Sequence, residues 1–356
     1  MNRTAPALAA SLALPLLVAF SVNGADKIAF APSEGTVVIK KFVATTVMEM
    51  DDMSMTMNGE SNPAMPEIEM AMEMVNNITV TDEYGPITDG QPAKLTRTYD
   101  AIDAELEMDV TMNMMGNEDT QSPSGAGSSE LEGSTVTFTW DGDAGEYEVA
   151  YAEGEEGDSD LLDGLVEDMD LRSLLPEDEL SEGESYDIEL AKLVDVLAPG
   201  GDLKLDMEVD GESAAMGPDA QMMQDYRRFF EDLLEGEATG TYTGTRDVGG
   251  AKVAVIELDI DIDASADMSD MAAEMMGGQD IPAEMSIDRM DVNMTYAGKG
   301  EMLWNLSAGH VHSLDMKADI TIGMDMAMGM DMGGQTMDIG MEMAMSGTVN
   351  SQVTTE

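Results

Sequence analysis

The 356-residue sequence has no cysteine, two histidines and only 16 lysines and arginines, against 73 aspartates and glutamates. The absence of cysteine excludes disulfides, thiolate catalysis and cysteine-ligated zinc. The formal net charge of −57 argues against nucleic acid as a partner, because nucleic-acid binding depends on neutralising phosphates with lysine and arginine. Aromatic residues make up 4% of the chain, too few for the two aromatic girdles that flank membrane-spanning strands.

The sequence also lacks the short motifs that mark common catalytic sites. It contains no Gly-x-Ser-x-Gly nucleophile elbow, no His-Glu-x-x-His zinc motif and no phosphate-binding Gly-x-x-x-x-Gly-Lys. A nucleophilic triad would need His310 or His312, and nothing in the sequence pairs either one with a serine. We therefore expect a noncatalytic protein without a resident cofactor.

The N-terminal segment has the pattern of a secretory signal peptide. Arg3 supplies a positive charge, residues 7–20 form an apolar run, and Gly24 and Ala25 offer small residues for cleavage. The run is too short for a transmembrane helix, and no later segment reaches 18 consecutive apolar residues. We expect removal of residues 1–24 and an exported protein, periplasmic or extracellular, without stable membrane insertion; an uncleaved anchor is the alternative.

Acidic residues are spread over almost every segment, and lysine and arginine are scarce throughout. This composition is typical of halophilic adaptation, because the Debye length of about 3 Å in molar salt screens self-repulsion. A dedicated calcium or cationic-ligand role is the alternative. In the first interpretation, the negative charge is an adaptation to salt and indicates no binding partner.

Alternation with a period of two dominates the chain and predicts strands. Over residues 314–332 the even positions are apolar, and the odd positions are mostly acidic or small. After the turn residues Gly333 and Gly334, the odd positions are apolar over residues 337–349. These two stretches predict a long C-terminal hairpin with one apolar face.

The same alternation recurs along both halves of the sequence. Residues 36–57 read as a strand, with a one-residue shift after Asp51-Asp52 that predicts a β-bulge. The Ser/Gly-rich residues 122–129 are expected to form a loop. Further strands are predicted over residues 70–80, 106–114, 136–140, 147–151, 240–246, 252–263, 285–296 and 301–306.

The middle of the chain changes to helical spacing. Residues 161–169, 190–197 and 218–234 each place apolar side chains three or four positions apart. We predict a mainly β (α+β) fold, with a large antiparallel sheet or incomplete barrel and a helical insert. One composite domain is favoured over two β domains, with a β-rich half at 25–157, the helical insert at 158–235 and a second β-rich half at 236–356.

Methionine is unusually frequent, with 37 residues. Burying a methionine gains roughly 1.5–3 kcal/mol, but fixing its flexible chain costs up to about 2 kcal/mol. Methionine faces are therefore either ordinary core or an adaptable surface for an apolar or amphiphilic ligand. The candidate ligand-binding residues are Met324, Met326, Met328, Met330, Met341, Met343 and Met345.

A metal site is the alternative interpretation, because thioether ligands select Cu(I). The methionines share their face with residues such as Ile320 and Ile339, which pack but cannot bind metal. His310 and His312 fall on the even register with Met316, so these three residues are the alternative copper site. A pair of partly exposed histidines at a strand end is the simpler interpretation.

Three stretches follow one another in a set order: Leu174-Leu175-Pro176 leading to Gly183-Glu184-Ser185-Tyr186, Pro199-Gly200-Gly201-Asp202-Leu203, and Gly298-Lys299-Gly300-Glu301 through Trp304 to Gly309-His310. This order resembles uncharacterised secreted β-rich bacterial proteins. Tyr186 stands where that group has tryptophan. The resemblance implies a secreted β-rich fold and no established activity.

Together these patterns predict a secreted or periplasmic noncatalytic module, structural or binding, with an apolar small molecule or lipid as its candidate ligand. A periplasmic methionine-rich Cu(I)/Ag(I)-binding protein is the alternative. Neither interpretation identifies a protein partner.

Overall fold

The computed structural model describes residues 27–61, 67–114, 117–209, 212–214, 234–269, 285–331 and 336–356. The predicted signal peptide and residues 218–233 of the helix predicted over residues 218–234 lie outside this part of the chain, whereas Leu234 begins a strand. Strands account for 70% of the structure and helices for 5%. The prediction of a mainly β fold built on a large antiparallel sheet is therefore confirmed.

The strands are β1 Val37–Met57, β2 Glu60–Ser61, β3 Glu67–Tyr84, β4 Ile87–Thr88, β5 Gln91–Pro92, β6 Lys94–Met114, β7 Asn117–Gln121, β8 Ser124–Ser129, β9 Thr135–Asp141, β10 Glu146–Tyr151, β11 Ser185–Asp187, β12 Leu205–Val209, β13 Glu212–Ala214, β14 Leu234–Val248, β15 Ala251–Asp267, β16 Met285–Asn305, β17 His310–Asp331 and β18 Thr336–Thr355. One α-helix, α1, spans Leu190–Leu197, and two 3-10 turns span Ser159–Leu162 and Arg172–Leu174. None of the helices in the described ranges is long and apolar enough to cross a membrane.

All of these strands except β4 and β5 belong to one sheet. Its order is β11-β14-β15-β16-β17-β18-β1-β3-β6-β8-β12-β13, with β2, β7, β9 and β10 paired beside this path. Because β1 pairs antiparallel with β18 from Lys40 to Met57, the two β-rich halves of the sequence join in the middle of the sheet. Over the described residues the edge strands β11 and β13 do not pair, so the sheet is open.

Most predicted strands occur where the alternation placed them. The C-terminal hairpin is β17 and β18, which pair continuously from Ser313 to Asp331. The predicted bulge in β1 is present, because its register against β18 shifts between Met50 and Asp52. The two stretches predicted at 285–296 and 301–306 are one continuous strand, β16.

The prediction of a loop over residues 122–129 is wrong, because β8 occupies most of this stretch and pairs with β6 and β12. The small residues of this stretch permit close packing rather than a turn. A Cβ atom at Gly127 would clash with the sulfur of Met207 on β12. Glycine here therefore leaves room for the Met207 side chain.

The helical prediction is correct for α1 and wrong for residues 161–169. That stretch has a single 3-10 turn and then an irregular chain, with an isolated bridge between Leu165 and Gly201. Leu165 and Met169 are both buried in the main core, so they insert one by one into the sheet rather than lining a helix. Just after this stretch, Leu171 has a left-handed backbone conformation with φ of 58°, which is incompatible with a continuing helix.

One face of the sheet, which we call the inner face, is filled mainly at one end, and a smaller buried cluster of Ala104, Leu106 and Met207 packs against Met72, Met74 and Met108. At the filled end, residues 27–30 and the segment 159–204 pack onto the sheet. Phe30, Leu174 and Leu193 of these segments are buried in one core with Trp304 of β16. Along β17, Leu314, Met316 and Ala318 are buried on this closed end. Further along the same strand, the inner-face residues from Ile320 to Met328 are only partly buried.

Candidate functional site

The part of the inner face beyond the closed end is lined mainly by methionine, and we call it the methionine face. Six adjacent strands, β16, β17, β18, β1, β3 and β6, contribute to it. Its partly buried methionines are Met50, Met53, Met55, Met70, Met72, Met74, Met108, Met112, Met290, Met294, Met324, Met326, Met328, Met337, Met341 and Met343. Met48 and Met345, at 4% and 9% exposure, mark its border with the closed end.

Bulges keep this face continuous on two strands in which the apolar residues change from odd to even numbers or from even to odd numbers. On β1 the apolar positions are even up to Met50 and odd from Met53, with the shift at Asp51. On β16 a second shift between Ile287 and Arg289 does the same. A bulge inserts one residue without moving the following side chains to the other face, so the sequence preserves the methionine face across both irregularities.

Methionines on neighbouring strands lie directly opposite one another in two rows. Row one consists of Met290, Met326, Met341 and Met55, on β16, β17, β18 and β1. Row two, one inner-face position closer to the closed end, consists of Val292, Met324, Met343 and Met53 on the same strands. Directly opposed positions have Cβ atoms about 4.5–5.5 Å apart, so the thioethers of each row are neighbours.

A cleft opens in the sheet beside these rows. Pairing of β1 with β3 ends at Glu49 and Ala71, while β1 continues along β18 and β3 continues along β6. The two strands therefore separate and leave a cleft of about 460 Å³. Its walls are Glu49, Met50, Asp51, Asp52, Met53, Ile68, Glu69, Met70, Ala71, Asp109 and Thr111.

The cleft combines two chemistries, carboxylates and apolar thioethers. Glu49, Asp51, Asp52, Glu69 and Asp109 are all exposed to solvent. The partly buried methionines at positions 50, 53 and 70 belong to the inner face. An apolar group can therefore contact the methionines while a neutral or positively charged group faces the carboxylates.

The candidate ligand-binding methionines proposed from the sequence differ in how deeply they are buried. Those at positions 324, 326, 328, 341 and 343 are partly buried on the methionine face, whereas Met345 is buried at its border. Met330 is paired with Met337 in the strand register, but its side chain lies outside what the structure describes. Sequence reasoning missed Met290, Met53 and Met55 as members of one site, because membership depends on which strands pair.

The residues of the alternative copper site lie at the start of β17, where its register against β16 shifts. The inner-face position opposite Trp304 is occupied by Val311, and His312 is the extra residue of a bulge between Val311 and Ser313. Val311 is fully buried, whereas His310 and His312 are partly exposed. The Nδ1 atom of His310 lies 2.7 Å from the backbone oxygen of Val311, and a copper site at His310, His312 and Met316 stays a prediction.

Within the described ranges, no group of three or more histidine, aspartate or glutamate side chains is arranged to hold a metal ion. The Asp141–Glu146 turn, whose sequence is similar to part of a calcium loop, is a hairpin turn between β9 and β10. In it the Asp141 carboxylate accepts hydrogen bonds from the backbone N–H groups of Asp143 and Ala144.

The closed end contains a buried ion cluster, which we define as Lys40, Asp82, Arg97 and Asp170; all four side chains are 0% exposed. Lys40 Nζ lies 2.7 Å from Asp82 Oδ2 and 2.8 Å from Asp170 Oδ1. The guanidinium group of Arg97 donates two hydrogen bonds to Asp82. Tyr84 donates its hydroxyl hydrogen to Asp170 Oδ1 over 2.6 Å.

Proton affinities in the cluster follow from burial and charge. Burial by itself raises the pKa of Asp82, but the adjacent Arg97 and Lys40 cations outweigh it and lower the value to about 2. Burial, together with the Asp170 carboxylate, raises the pKa of Tyr84 well above its ordinary range. Asp82 is therefore a carboxylate at neutral pH and Tyr84 a neutral phenol that donates a hydrogen bond.

The ion cluster attaches the covering segment to the sheet. Arg97 on β6 donates hydrogen bonds to the backbone oxygens of Val166 and Glu167, and Lys40 on β1 contacts Asp170. Within the covering segment, Glu167 and Arg172 form an ion pair. Since the cluster is inaccessible to solvent, its arrangement serves to position the segment 166–172.

Sequence analysis missed this cluster, although one signal was present. Val38, Lys40 and Phe42 share the even register of β1, so a lysine occupies an apolar face in a chain with very few lysines. A buried lysine requires a carboxylate partner. With 73 acidic residues, that partner could not be chosen from the sequence alone.

No known family profile matches the sequence, and no curated protein sequence matches it. Among solved structures, the chain is similar to the outer membrane protein OprG from Pseudomonas aeruginosa, at 9% identity. The match covers 92% of this chain and 99% of that chain, with a TM-score of 0.19. At this TM-score the likeness carries no argument about function.

Proposed function

We propose that this protein is an exported, noncatalytic binding protein for an apolar or amphiphilic molecule that carries no net negative charge. The ligand lies with its apolar part on the methionine face and enters through the cleft between β1 and β3. The observation that carries this proposal is the end of β1–β3 pairing at Glu49 and Ala71, which leaves a cleft lined by Met50, Met53 and Met70.

The contrast between the two ends of the inner face supports a binding role. At the closed end, Leu314 and Ala318 on β17 are almost fully buried. On the same face of the same strand, Met324 and Met326 keep part of their surface exposed. An apolar ligand that covers this surface gains about 0.8 kcal/mol for each buried methylene.

Methionine suits such a face better than leucine or isoleucine. Its side chain is unbranched, has three rotatable bonds and adapts to irregular shapes. Partly buried methionines retain much of the rotamer entropy that full burial removes. The face can therefore adapt to ligands of differing shape, which favours broad specificity for one chemical class.

Charge decides which class of headgroup is compatible. The cleft between β1 and β3 carries five exposed carboxylates, and the whole chain has a net charge of −57. Anionic headgroups and anionic lipid surfaces are repelled by this field. Neutral and cationic headgroups are accepted, so the ligand class is an uncharged or cationic apolar molecule.

The noncatalytic part of the proposal rests on the sequence, which lacks the common catalytic motifs. The carboxylates with shifted proton affinity that the structure describes at the closed end are buried in or beside the ion cluster, away from the cleft. The export part of the proposal rests on the sequence of residues 1–24. Adaptation to a saline environment, proposed from the composition, explains the charge without a further partner.

Displacement of a neutral fluorescent probe, N-phenylnaphthylamine, tests the proposed function. Dodecanol and dodecyltrimethylammonium, below their aggregation limits, should displace the probe, whereas dodecyl sulfate should not. Replacing Met53 and Met70 together by glutamine should weaken probe binding by about tenfold or more. The control is Thr321→Gln, an exposed outer-face change on β17, which should bind as the unaltered protein does.

Absence of saturable probe binding contradicts the proposal. Equal displacement by all three dodecyl compounds contradicts its headgroup selectivity, because the carboxylates of the cleft would then have no influence. Equal loss of binding in the control and in the double variant contradicts the position of the site.

A further inference from the structure

We propose that the methionine rows bind a soft monovalent metal ion, Cu(I) or Ag(I), through thioether sulfurs alone. This inference goes beyond the proposed function, because it depends on sulfur rather than on apolar surface. The geometry that carries it is row one, in which four methionines from four adjacent strands are directly opposed.

Pairing between strands brings methionine sulfurs closer together than a single strand can. Along one strand, successive inner-face residues are about 6.6–6.8 Å apart, too far for several sulfurs to meet without bending. Across strands, Met326 is opposed by Met290 on one side and Met341 on the other. With neighbouring Cβ atoms about 4.5–5.5 Å apart, rotation of these flexible side chains can bring three sulfurs to one ion between them.

The second row enlarges the set of available sulfurs. Met324, Met343 and Met53 lie one inner-face position from row one on the same strands. Seven of the eight positions in the two rows are therefore methionine. Soft thioether ligands select Cu(I) over harder ions, so the rows discriminate against calcium, magnesium and zinc.

The rows are local to one part of the sheet. The next row toward the closed end still contains Met294, Met345 and Met50 beside Ile322, and further on the same four strands oppose Gly298, Ala318, Val349 and Thr46. On the other side of row one, Met328 is opposed by Ile287 and Ile339. Opposed methionines on both sides therefore distinguish Met326 from Met328 on the same strand.

Charges behind the rows favour a cation. Between rows one and two, the outer face carries Asp291, Asp325 and Glu342 in direct opposition. Arg289 forms ion pairs with Asp325 and Asp291, so three carboxylates are balanced by one guanidinium. Together with the net charge of −57, this field raises the local concentration of monovalent cations.

Titration with Ag(I), a redox-inert substitute for Cu(I), tests the site. The titration uses calorimetry in sodium nitrate, because chloride precipitates silver; Cu(I) is measured without oxygen by competition with bicinchoninate. We expect affinity tighter than micromolar for both ions in the unaltered protein. Replacing Met326 and Met341 together by leucine should weaken binding by about tenfold or more, whereas Met328→Leu should leave it unchanged.

Leucine keeps the face apolar, so this test is separate from the proposed function. In the unaltered protein, uptake of N-phenylnaphthylamine and binding of the two ions are measured independently. If the unaltered protein takes up the probe but binds neither ion tighter than micromolar, the metal inference is wrong and the proposed function stands. If it binds the ions but not the probe, the proposed function is wrong and the metal inference stands.

X-ray absorption at the copper edge identifies the ligands directly. Sulfur-only coordination is the expected result. A nitrogen or oxygen shell would overturn the inference, because it would place the ion at the histidines or the carboxylates. Equal affinity of the double leucine variant and the unaltered protein would overturn it as well.

Discussion

Arg97 and Asp82, opposed on adjacent strands, are joined by two hydrogen bonds, from Nε to Oδ1 at 2.7 Å and from Nη2 to Oδ2 at 2.8 Å, with neither side chain exposed. A planar guanidinium matches a carboxylate in this way, and lysine cannot reproduce the geometry. Lys40 contacts the same carboxylate, so one aspartate serves two buried cations. The arrangement fixes the closed end and leaves the methionine face as the adaptable part of the sheet.

Replacing Asp82 by asparagine should destabilise the protein by about 3–5 kcal/mol, because it removes the carboxylate that pairs with the buried Arg97 and leaves Lys40 with Asp170 alone. Urea unfolding in molar salt measures this loss. The matched control is Asp259→Asn, which breaks an exposed ion pair with Lys299 and should have little effect. Similar losses in the two variants would show that the ion cluster does not hold the closed end together.

Glu167 should give the stability a specific pH dependence. Burial, reinforced by Asp168 and Asp170 and opposed by Arg172, raises the pKa of Glu167 from 4.5 to about 7. The folded state therefore binds this proton more tightly than the unfolded state, so the stabilising contribution is complete below pH 4.5 and is lost as the pH rises through about 7.

The variant Glu167→Gln should remove this dependence. The free energy of unfolding of the variant, minus that of the unaltered protein, should increase between pH 4.5 and about 7 and then level off. Its amplitude should be about 1.4 kcal/mol for each unit of pKa shift. Glu177→Gln, an exposed change, is the control, and a flat difference curve for Glu167→Gln contradicts the assignment.

Salt should stabilise the protein by screening like charges that face each other on the sheet. Glu73 on β3 is directly opposite Glu107 on β6, and both are exposed. Like charges in such positions are destabilising. We expect Glu73→Lys to raise the melting temperature in dilute buffer and to have little effect in molar NaCl.

The control for the charge prediction is Glu34→Lys, at an exposed position outside the strands. Melting temperatures followed by circular dichroism across a salt series provide the measurement. The unaltered protein should also become markedly more stable with NaCl. No change between dilute buffer and molar salt would contradict the saline adaptation that the composition predicts.

The two ends of the inner face should respond differently to loss of a methionine. Met48→Ala removes a side chain that is 4% exposed and should cost about 2–5 kcal/mol. Met326→Ala, on the partly exposed methionine face, should cost about 1 kcal/mol because less area returns to water. Urea unfolding of both variants checks this difference, and equal costs would mean that the methionine face is ordinary core.

The strands could be predicted because their signal is local. The alternation over residues 314–332 and the shift at Asp51 are visible in the sequence and correspond to β17 and to the bulge of β1. The irregular segment over residues 161–169 could not be predicted, because apolar residues that insert one by one into a core have the same spacing as a helix face.

The site was only partly predictable, because it depends on which strands pair. The apolar character of Met326 and Met341 is readable from alternation, but their opposition to Met290 and Met55 depends on pairing between strands distant in sequence. The cleft likewise follows from where β1 and β3 stop pairing. Residue type and period specify faces, whereas register decides which residues meet.

The most direct test of the binding role is a nuclear magnetic resonance titration of isotope-labelled methionine methyl groups with dodecanol. We expect saturable shifts for Met50, Met53 and Met70 at the cleft, and none for the buried Met169 and Met302 at the closed end. Shifts that never saturate, or that spread equally over both sets, would contradict a binding site on the methionine face.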